Sequence, residues 1–499
     1  MLFVIKLFPE ITIKSRPVRR RLIRQLRRNL RTILTAELGS QVKVWGEWDS
    51  IEVELPATLD AQASRVIELL GRIPGIALYQ QVEKYPLTDL DTVADLCRQF
   101  YADQLQGKTF AVRCKRSGQH DFRSIDVEKH VGAVLNTQLA TGGVRLVNPD
   151  VTVQLEIRSQ DVFLVTGQFR GLGGFPLGAQ DGVLSLISGG FDSAVSSFDC
   201  TRRGLLTHYC FFNLGGSAHE MAVKELALYL WLRYHSTHKV RFVTVPFEAV
   251  VTEILGKVDD SQMGVVLKRL MLRAASRIAD RLKLQALVTG ESIAQVSSQT
   301  LANLAIIDSV ADRLTLRPLI TSDKQDIINT ARRIGTEEFS KYIPEYCGVI
   351  SVKPTTRARA DRIAREESKF DFTILDQAIA DARVEMITEL ARDNAHPVDS
   401  ISEVSTVANG DTVIDIRHPD LAEVPVPLPD SDTRTEVLKV PFYRLPGFLA
   451  EQGRSGRYLL YCDKGMMSRL HAAHLKDLGY ANVAIYVPPG ARTKAAISE

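Results

Sequence analysis

The feature that most constrains this chain is a short apolar run that breaks at two glycines and restarts as a helix. The run and its break read Val183-Leu184-Ser185-Leu186-Ile187-Ser188-Gly189-Gly190-Phe191-Asp192-Ser193. Gly189 and Gly190 permit a tight turn and a close backbone approach to an anion, and the next helix directs free N–H groups at the same point. The pattern predicts a strand, a phosphate loop and a helix. No lysine follows the glycines, which excludes the common loop that places Lys on the terminal phosphates.

The stretch from Ser188 to Ser193 resembles the PP-loop of ATP pyrophosphatases, which split ATP into AMP and pyrophosphate to adenylate a substrate. An ordinary strand-turn-helix corner would explain the glycines but not the clustered Ser188, Asp192 and Ser193. Strands and helices alternate beyond the loop, which predicts a doubly wound parallel sheet with ligands at the carboxyl ends of its strands. Gly290 ends one predicted strand, and Gln299 follows shortly after it.

Lys268 lies on the same predicted helix face as Val265, Met271 and Leu272. An unpaired ammonium on an apolar face is costly, so a phosphate partner would be favourable. The alternative is a lysine that extends past the apolar stripe to solvent. The residues alone leave both interpretations open.

A length of 499 residues predicts three or four domains. The N-terminus lacks a long apolar segment with a cleavage site, and no apolar stretch approaches membrane-spanning length, so we expect a cytoplasmic protein without a membrane partner. The six cysteines are Cys97, Cys114, Cys200, Cys210, Cys347 and Cys462. They form no C-x-x-C pair, which argues against a metal site and against a disulfide framework. Any cysteine chemistry is therefore expected to be catalytic or redox.

Charge is segregated along the chain, although the net charge is only +3. The first 31 residues carry ten Lys or Arg against one Glu, within a helical apolar pattern. This distribution is typical of a phosphate-backbone contact, and the predicted RNA-binding side chains are Arg19, Arg20, Arg24 and Arg27. A solvated basic helix without a ligand is the alternative. Residues 396–436 hold nine acidic residues against two basic ones, so this part is not expected to bind nucleic acid.

A second basic stretch, from Cys114 to Ser124, leaves a predicted strand and contains Lys115, Arg116, Gly118 and Phe122. Such a mixture suits RNA because cations meet phosphates, Gly permits close approach and Phe can stack. Lys115 and Arg116 are therefore further candidate RNA contacts. The order of predicted elements over about 100 residues, including a strand at 144–147, resembles a THUMP domain, a module associated with tRNA-modifying enzymes.

Two cysteines stand in loops where chemistry is plausible. Cys347 lies in a short segment bounded by Pro344 and Gly348, and a buried structural cysteine is the simpler interpretation. Cys462 follows an apolar strand and precedes a helix, and an Asp-x-Arg pattern ends at Arg417. This arrangement resembles a rhodanese domain. Backbone N–H groups, the helix N-terminus, Lys464 and Arg469 are expected to favour a thiolate or persulfide at Cys462.

Taken together, these motifs resemble the bacterial tRNA 4-thiouridine synthetase family over nearly the whole chain. The stretches from Pro344 to Ser351 and from Gln295 to Thr300 are the most specific to it. The implied architecture is α/β, with a ferredoxin-like α+β module at 1–60, a THUMP module at 61–167, a PP-loop domain at 175–395 and a rhodanese domain at 404–499. A linker is predicted at 396–410.

The resemblance also implies site residues. ATP would be bound by Leu186, Ile187, Ser188, Gly189, Gly190, Ser193, Lys268, Gly290 and Gln299, with Asp192 essential for adenylation and magnesium on the phosphates. Cys462 would carry a persulfide received from a cysteine desulfurase, and Cys347 would form a disulfide with it. The product would be 4-thiouridine at position 8 of tRNA. A second sulfur acceptor would be the carrier protein of the thiamine pathway.

Two other functions remain open at this point. An amidating ligase of the ATP pyrophosphatase type would need an ammonia source, and nothing in the chain resembles a glutaminase. A non-catalytic RNA-binding sulfur shuttle would not form AMP and pyrophosphate.

Overall fold

The computed structural model describes residues 1–46, 50–214, 216–343, 353–390, 402–408, 410–417, 424–428, 437–441, 444–452, 456–463, 465–477 and 479–488. The chain divides into two compact units, residues 1–180 with 202–204 and residues 181–201 with 205–499. Cys347, Lys464 and part of the predicted linker lie outside the described residues. No helix in the described ranges is both long and apolar enough to cross a bilayer.

The first unit is built on one seven-stranded sheet with five helices. Its strands are β1 (Leu2–Leu7), β2 (Lys43–Trp45), β3 (Ser50–Glu54), β4 (Ile76–Pro86), β5 (Phe110–Ser117), β6 (Val151–Arg158) and β7 (Asp161–Arg170), and its helices are α1 (Pro9–Thr12), α2 (Arg16–Leu38), α3 (Ala63–Gly71), α4 (Leu90–Leu105) and α5 (Ser124–Gln138). The strand order is β2-β3-β1-β4-β7-β6-β5. Because β4 pairs with both β1 and β7, the two predicted N-terminal modules share a single sheet.

Two hydrophobic cores lie under this sheet. The first joins Phe3 and Leu26 to Leu69 and Tyr79, so the predicted boundary at residue 60 falls inside this core. The second joins α4 and α5 to β5, β6 and β7. The strand predicted at 144–147 does not form: Val144 makes only an isolated bridge to Phe110, and the rest of the segment lies exposed beside the edge strand β5.

The second unit contains a six-stranded sheet with helices on both faces. Its strands are β8 (Gly182–Leu186), β9 (Leu206–Asn213), β10 (Arg241–Pro246), β11 (Ala286–Val288), β12 (Leu314–Leu316) and β13 (Arg383–Met386). Its helices are α6 (Phe191–Arg202), α7 (Gly216–Leu230), α8 (Glu248–Lys257), α9 (Met263–Arg281), α10 (Leu301–Asp308), α11 (Lys324–Ile334), α12 (Glu337–Tyr342), α13 (Ala360–Glu367) and α14 (Phe372–Ala380). The strand order is β12-β11-β8-β9-β10-β13.

The first five strands of this sheet are parallel, as expected for a doubly wound fold. The prediction of an all-parallel sheet is wrong at one edge, because β13 pairs antiparallel with β10. Two short helices, α13 and α14, precede this edge strand. Alternate residues of the central strands are buried on opposite faces: Leu184 packs with α8, α9 and α14, and Val183 packs with Cys200 of α6.

The C-terminal part of the second unit forms a separate five-stranded sheet. Its strands are β14 (Glu403–Val404), β15 (Asp411–Asp415), β16 (Val437–Lys439), β17 (Arg457–Tyr461) and β18 (Val483–Tyr486), and its helices are α15 (Leu445–Gln452) and α16 (Met466–Asp477). The order is β14-β18-β17-β15-β16, and every pairing in it is parallel. Cys462 follows β17 directly, at the carboxyl end of a central strand.

Candidate functional site

The phosphate loop is closed on itself by a serine at the start of α6. Ser193 Oγ accepts a hydrogen bond from the Ser188 backbone N–H at 3.2 Å and donates to the Gly190 carbonyl at 3.0 Å. Gly189 has a φ of +95°, a conformation that residues with a Cβ rarely adopt. The predicted loop residues Ser188, Gly189, Gly190 and Ser193 thus form one compact turn at the end of β8.

Asp192 is held by two side chains from other elements. Lys324 Nζ lies 2.8 and 3.1 Å from its two carboxylate oxygens, and Gln295 Nε2 donates to Oδ2 at 2.8 Å. The backbone beyond β11 also packs closely here, because a Cβ on Gly290 would lie 2.6 Å from the Asp192 carbonyl carbon. Lys324 opens α11, 132 positions after Asp192, and no local pattern in the sequence marks it.

Lys268 forms an ion pair with a buried carboxylate. Its Nζ lies 2.8 Å from Glu291 Oε1, while the other oxygen of Glu291 accepts from Arg317 Nε at 2.7 Å. Burial opposes ionisation of Glu291, but the charges and hydrogen bonds of Lys268 and Arg317 outweigh it and lower its pKa to about 2. Arg317 also binds Asp308 through two bonds of 2.8 and 2.6 Å.

Gln299 carries an acceptor without a protein partner. The residue is buried, with 8% exposed, and its Oε1 makes no hydrogen bond within the described part of the chain. A buried acceptor of this kind is costly unless a ligand donates to it. Ile187 is buried beside the loop and its N–H donates to the Cys210 carbonyl at 2.9 Å, whereas Leu186 is half-buried. The predicted ATP-binding residues therefore lie around one region at the carboxyl ends of the parallel strands. Lys268 is connected to this region by its ion pair with Glu291.

The described residues on either side of the segment that contains Cys347 both contact this region. On one side, Ile343 packs so closely on the phosphate loop that a Cβ on Gly189 would lie 2.4 Å from Ile343 Cγ2. On the other side, Asn303 Nδ2 donates to the carbonyls of Thr355 at 2.8 Å and Ser297 at 2.7 Å. Ser297 begins the 3₁₀ turn Ser297–Gln299 that carries the orphaned glutamine.

Cys462 forms a second candidate site at the start of α16. The Ser468 backbone N–H donates to Cys462 Sγ at 3.3 Å, and Ser468 Oγ lies 3.4 Å from the sulfur. The loop is fixed by Arg417, which binds Asp415 through bonds of 2.8 and 2.7 Å and Asp463 at 2.9 Å. The Asp-x-Arg pattern thus joins the end of β15 to the cysteine loop.

The surroundings of Cys462 have opposing effects on the pKa of its thiol. Burial raises the pKa of the Cys462 thiol, and the hydrogen bonds from Ser468 offset only part of this effect. Asp463 adds a repulsive negative charge. Arg469, expected to support the thiolate, is paired instead with Glu403, its Nε lying 2.7 Å from Oε1.

The predicted RNA-binding side chains differ in their surroundings. Arg20 and Arg24 are exposed on α2, whereas Arg19 and Arg27 are half-buried and donate to the carbonyls of Thr12 and Gly46, each at 3.3 Å. At the other end of the sheet, Lys115 is exposed on β5. Arg116 Nη1 lies 2.9 Å from His120 Nδ1, so it holds the shape of the loop after β5.

Three family models match successive parts of the chain. The ThiI ferredoxin-like domain matches residues 2–79, the THUMP domain residues 88–166 and the thiamine biosynthesis protein (ThiI) residues 178–372. Among curated proteins, the tRNA sulfurtransferase of Azotobacter vinelandii strain DJ is 54% identical over 98% of this chain and its own full length. That of Pseudomonas aeruginosa strain PAO1 is 53% identical, again over 98% of this chain and 100% of its own.

Solved structures show the same likeness. A crystal structure of a 4-thiouridine synthetase–RNA complex with bound ATP is similar at a TM-score of 0.65 and 25% identity, covering 77% of this chain and 99% of that one. The protein PH1313 from Pyrococcus horikoshii shares the fold at a TM-score of 0.52 and 18% identity, covering 67% of this chain and all of its own.

The buried Glu291 network yields a stability prediction. Glu291→Gln should lower the free energy of unfolding of the second unit by about 3 kcal/mol at pH 7, because it leaves Lys268 and part of Arg317 unpaired. Since the pKa of Glu291 is lowered from 4.5 to about 2, the stabilisation in the native protein should be lost as pH falls through that interval. The variant should not show this pH-dependent loss of stability.

Urea unfolding followed by Trp231 fluorescence would measure this effect, after Trp45 and Trp48 are replaced by Phe so that the signal comes from the second unit alone. Asp376→Asn is the matched control, since its pair with Arg277 is exposed and should contribute less than about 1 kcal/mol. Equal midpoints for the two variants would contradict the prediction.

Proposed function

The chain belongs to the tRNA sulfurtransferase family, and we propose that it transfers sulfur from a persulfide to a uridine of tRNA by way of an adenylated uridine, giving 4-thiouridine at position 8. In this proposal the second unit contains a PP-loop domain that adenylates the uridine and a C-terminal rhodanese domain that carries the sulfur. The parallel sheet of the C-terminal part, with Cys462 between β17 and α16, supports the rhodanese assignment.

The observation that carries the proposal is the double anchoring of the Cys347 segment. Ile343 packs on Gly189 of the phosphate loop, and Thr355 is bonded to Asn303 beside the turn that holds Gln299. Cys347 follows Ile343 by four positions, so covalent connectivity limits the distance between their Cα atoms to about 14 Å. This bound on the distance between Cys347 and the phosphate loop supports a role for its thiol on a base activated there.

Adenylation explains why ATP is needed. The O4 atom of uridine is a poor leaving group, and its attack on the α-phosphate of ATP expels pyrophosphate and converts O4 into part of an AMP leaving group. The orphaned Oε1 of Gln299 fits a donor of the nucleotide, and the loop closed by Ser193 fits its phosphates. Magnesium would offset the negative charge of ATP, and Asp192, the carboxylate at this loop, would hold the ion in exchange for its pair with Lys324.

Sulfur then replaces the O4 oxygen of the uridine in two steps. The terminal sulfur of a Cys462 persulfide attacks C4 of the uridine, and AMP leaves with the original O4. Attack of the Cys347 thiolate on the inner sulfur, that of Cys462, breaks the sulfur–sulfur bond and releases 4-thiouridine. The two cysteines are left as a disulfide, which a cellular dithiol reduces before the next cycle.

The partners follow from this chemistry. A cysteine desulfurase would load Cys462: the Cys462 thiolate attacks the terminal sulfur of the desulfurase persulfide, and the desulfurase cysteine leaves as a thiolate. The family description also names thiamine biosynthesis, so we propose the sulfur-carrier protein of that pathway as a second acceptor. All of these partners place the reaction in the cytoplasm.

Asp192→Ala should abolish pyrophosphate release in the presence of unmodified tRNA, because electrostatic groups at a reacting phosphate typically contribute about 10²- to 10³-fold in rate. Persulfide formation on Cys462 should persist, as it needs only the C-terminal domain. Pyrophosphate release and mass spectrometry of Cys462 measure the two steps separately. Asp326→Ala, an exposed carboxylate in the first turn of α11, is the control; unchanged adenylation in the Asp192 variant would remove the PP-loop assignment.

Cys347→Ser should retain adenylation and persulfide loading but stop thiolation after at most one turnover. Single-turnover reactions analysed on non-reducing gels should show a Cys347–Cys462 cross-link in the native protein and none in the variant. Cys210→Ser, a buried thiol in β9, is the matched control and should cycle normally. Normal cycling of the Cys347 variant would mean that an external thiol resolves the persulfide.

Replacing Arg20 and Arg24 by Gln should weaken tRNA binding and flatten the slope of log Kd against log salt, by up to about 0.9 of a unit for each lost phosphate contact. Replacing Arg19 and Arg27, which already donate to carbonyl groups, should have a smaller effect on the slope. Titrations at several salt concentrations measure this, with Arg333→Gln of α11 as the control. A slope equal to that of the control would make α2 a solvated surface without RNA contacts.

A further inference from the structure

A surface of the adenylating domain next to the phosphate loop has the chemistry of a nucleotide-binding surface. It is formed by Val296 and Leu301 together with Lys353 and Arg357, and we call it the 296–357 surface. The four residues come from two segments that are separate in sequence. Their position is set by buried hydrogen bonds.

Asn303 joins the two segments. Its side chain is fully buried, and besides its bonds to Ser297 and Thr355 its Oδ1 accepts from the Ala358 N–H at 2.8 Å. Thr300 Oγ1 adds a bond of 2.7 Å to the Thr356 carbonyl. The residues on either side of these bonds, Leu301 and Arg357 among them, are thereby held side by side on a rigid support.

The side chains that point outward from this surface combine exposed apolar groups with cations. Val296 is 52% and Leu301 67% exposed, although both flank a buried turn. Lys353 and Arg357 are exposed and form no ion pair within the described residues. The neighbouring cation Arg365, by contrast, is paired with Asp361. Exposed apolar groups beside unneutralised cations suit a partner that presents both an apolar face and negative charge.

The surface borders the reacting region. Val296 follows Gln295, whose amide donates to Asp192 at 2.8 Å, and Lys353 is the first described residue after the Cys347 segment. A ligand on this surface would therefore lie beside the residues that hold Asp192. The nucleotide to be modified must occupy this region if Asp192 acts on its adenylation.

We propose that the 296–357 surface positions the target uridine, with Val296 and Leu301 against the face of the base and Lys353 and Arg357 on the flanking phosphates. The proposal rests on the adenylation function proposed above. Both parts of a nucleotide are matched by this pairing of apolar and cationic groups, since every base has an apolar face and every linkage a negative charge. The surface would act after the first unit has bound the tRNA, and it sets which uridine reaches ATP.

Two double variants test this proposal kinetically: Lys353→Gln with Arg357→Gln, and Val296→Ser with Leu301→Ser. Each should lower kcat for tRNA-dependent pyrophosphate release by about 10- to 100-fold, because a misplaced reacting atom costs that much. The Kd for tRNA should rise less than about threefold, since the first unit keeps its contacts. Arg365→Gln and Leu314→Ser, an equally exposed leucine on β12, are the matched controls. Rates equal to those of the controls would overturn the proposal.

The C-terminal domain is the other conceivable occupant, and the same variants distinguish it. Normal pyrophosphate release with slowed sulfur transfer from loaded Cys462 would assign the surface to that domain and overturn the RNA assignment. A cross-linking experiment separates this proposal from the adenylation function. Photolysis of native protein bound to tRNA that carries 4-thiouridine at the target position should give adducts within residues 293–301 or 353–359. Adducts confined to other residues would overturn it, whether or not the protein adenylates RNA.

Discussion

One buried carboxylate connects several elements around the six-stranded sheet of the second unit. Glu291 follows the end of β11 and is shared between Lys268 of α9 and Arg317, which follows β12, while Arg317 reaches on to Asp308 of α10. Four elements are thereby connected beneath the phosphate loop by charges that burial would otherwise make unfavourable. Gly290, the neighbour of Glu291, lies against the backbone of Asp192, so the same network sets where the loop meets the next strand.

The two candidate cysteines belong to different parts of the second unit. The residues that flank the Cys347 segment contact the phosphate loop and Asn303, whereas Cys462 lies in a loop fixed by Arg417 within a separate sheet. In the function proposed above, sulfur transfer requires these two parts of the unit to approach each other.

The sequence predicted those parts of the site whose interacting residues are close together in the chain. The Ser-Gly-Gly turn, Asp192 and Ser193 form one loop because their conformation depends on neighbours within six residues. Partners from distant positions could not be predicted in this way: Lys324 is 132 positions from Asp192, and Glu403 is 66 positions from Arg469. In the second case the sequence could not show that the cation expected beside Cys462 is already neutralised by a carboxylate. The antiparallel edge strand β13 was missed because its four residues carry no alternation that distinguishes them from the helices before them.

The shared sheet of the first unit has a mechanical consequence. Seven hydrogen-bonded strands at a spacing of about 4.8 Å place the outermost pair, β2 and β5, about 29 Å apart. The basic helix α2 packs near one margin, and the loop held by Arg116 and His120 leaves the other. Because one hydrogen-bonded ladder runs between them, the sheet sets the separation of these two candidate contacts. If both contact RNA, that separation would select an RNA by the distance between two of its features, without contacts to any base.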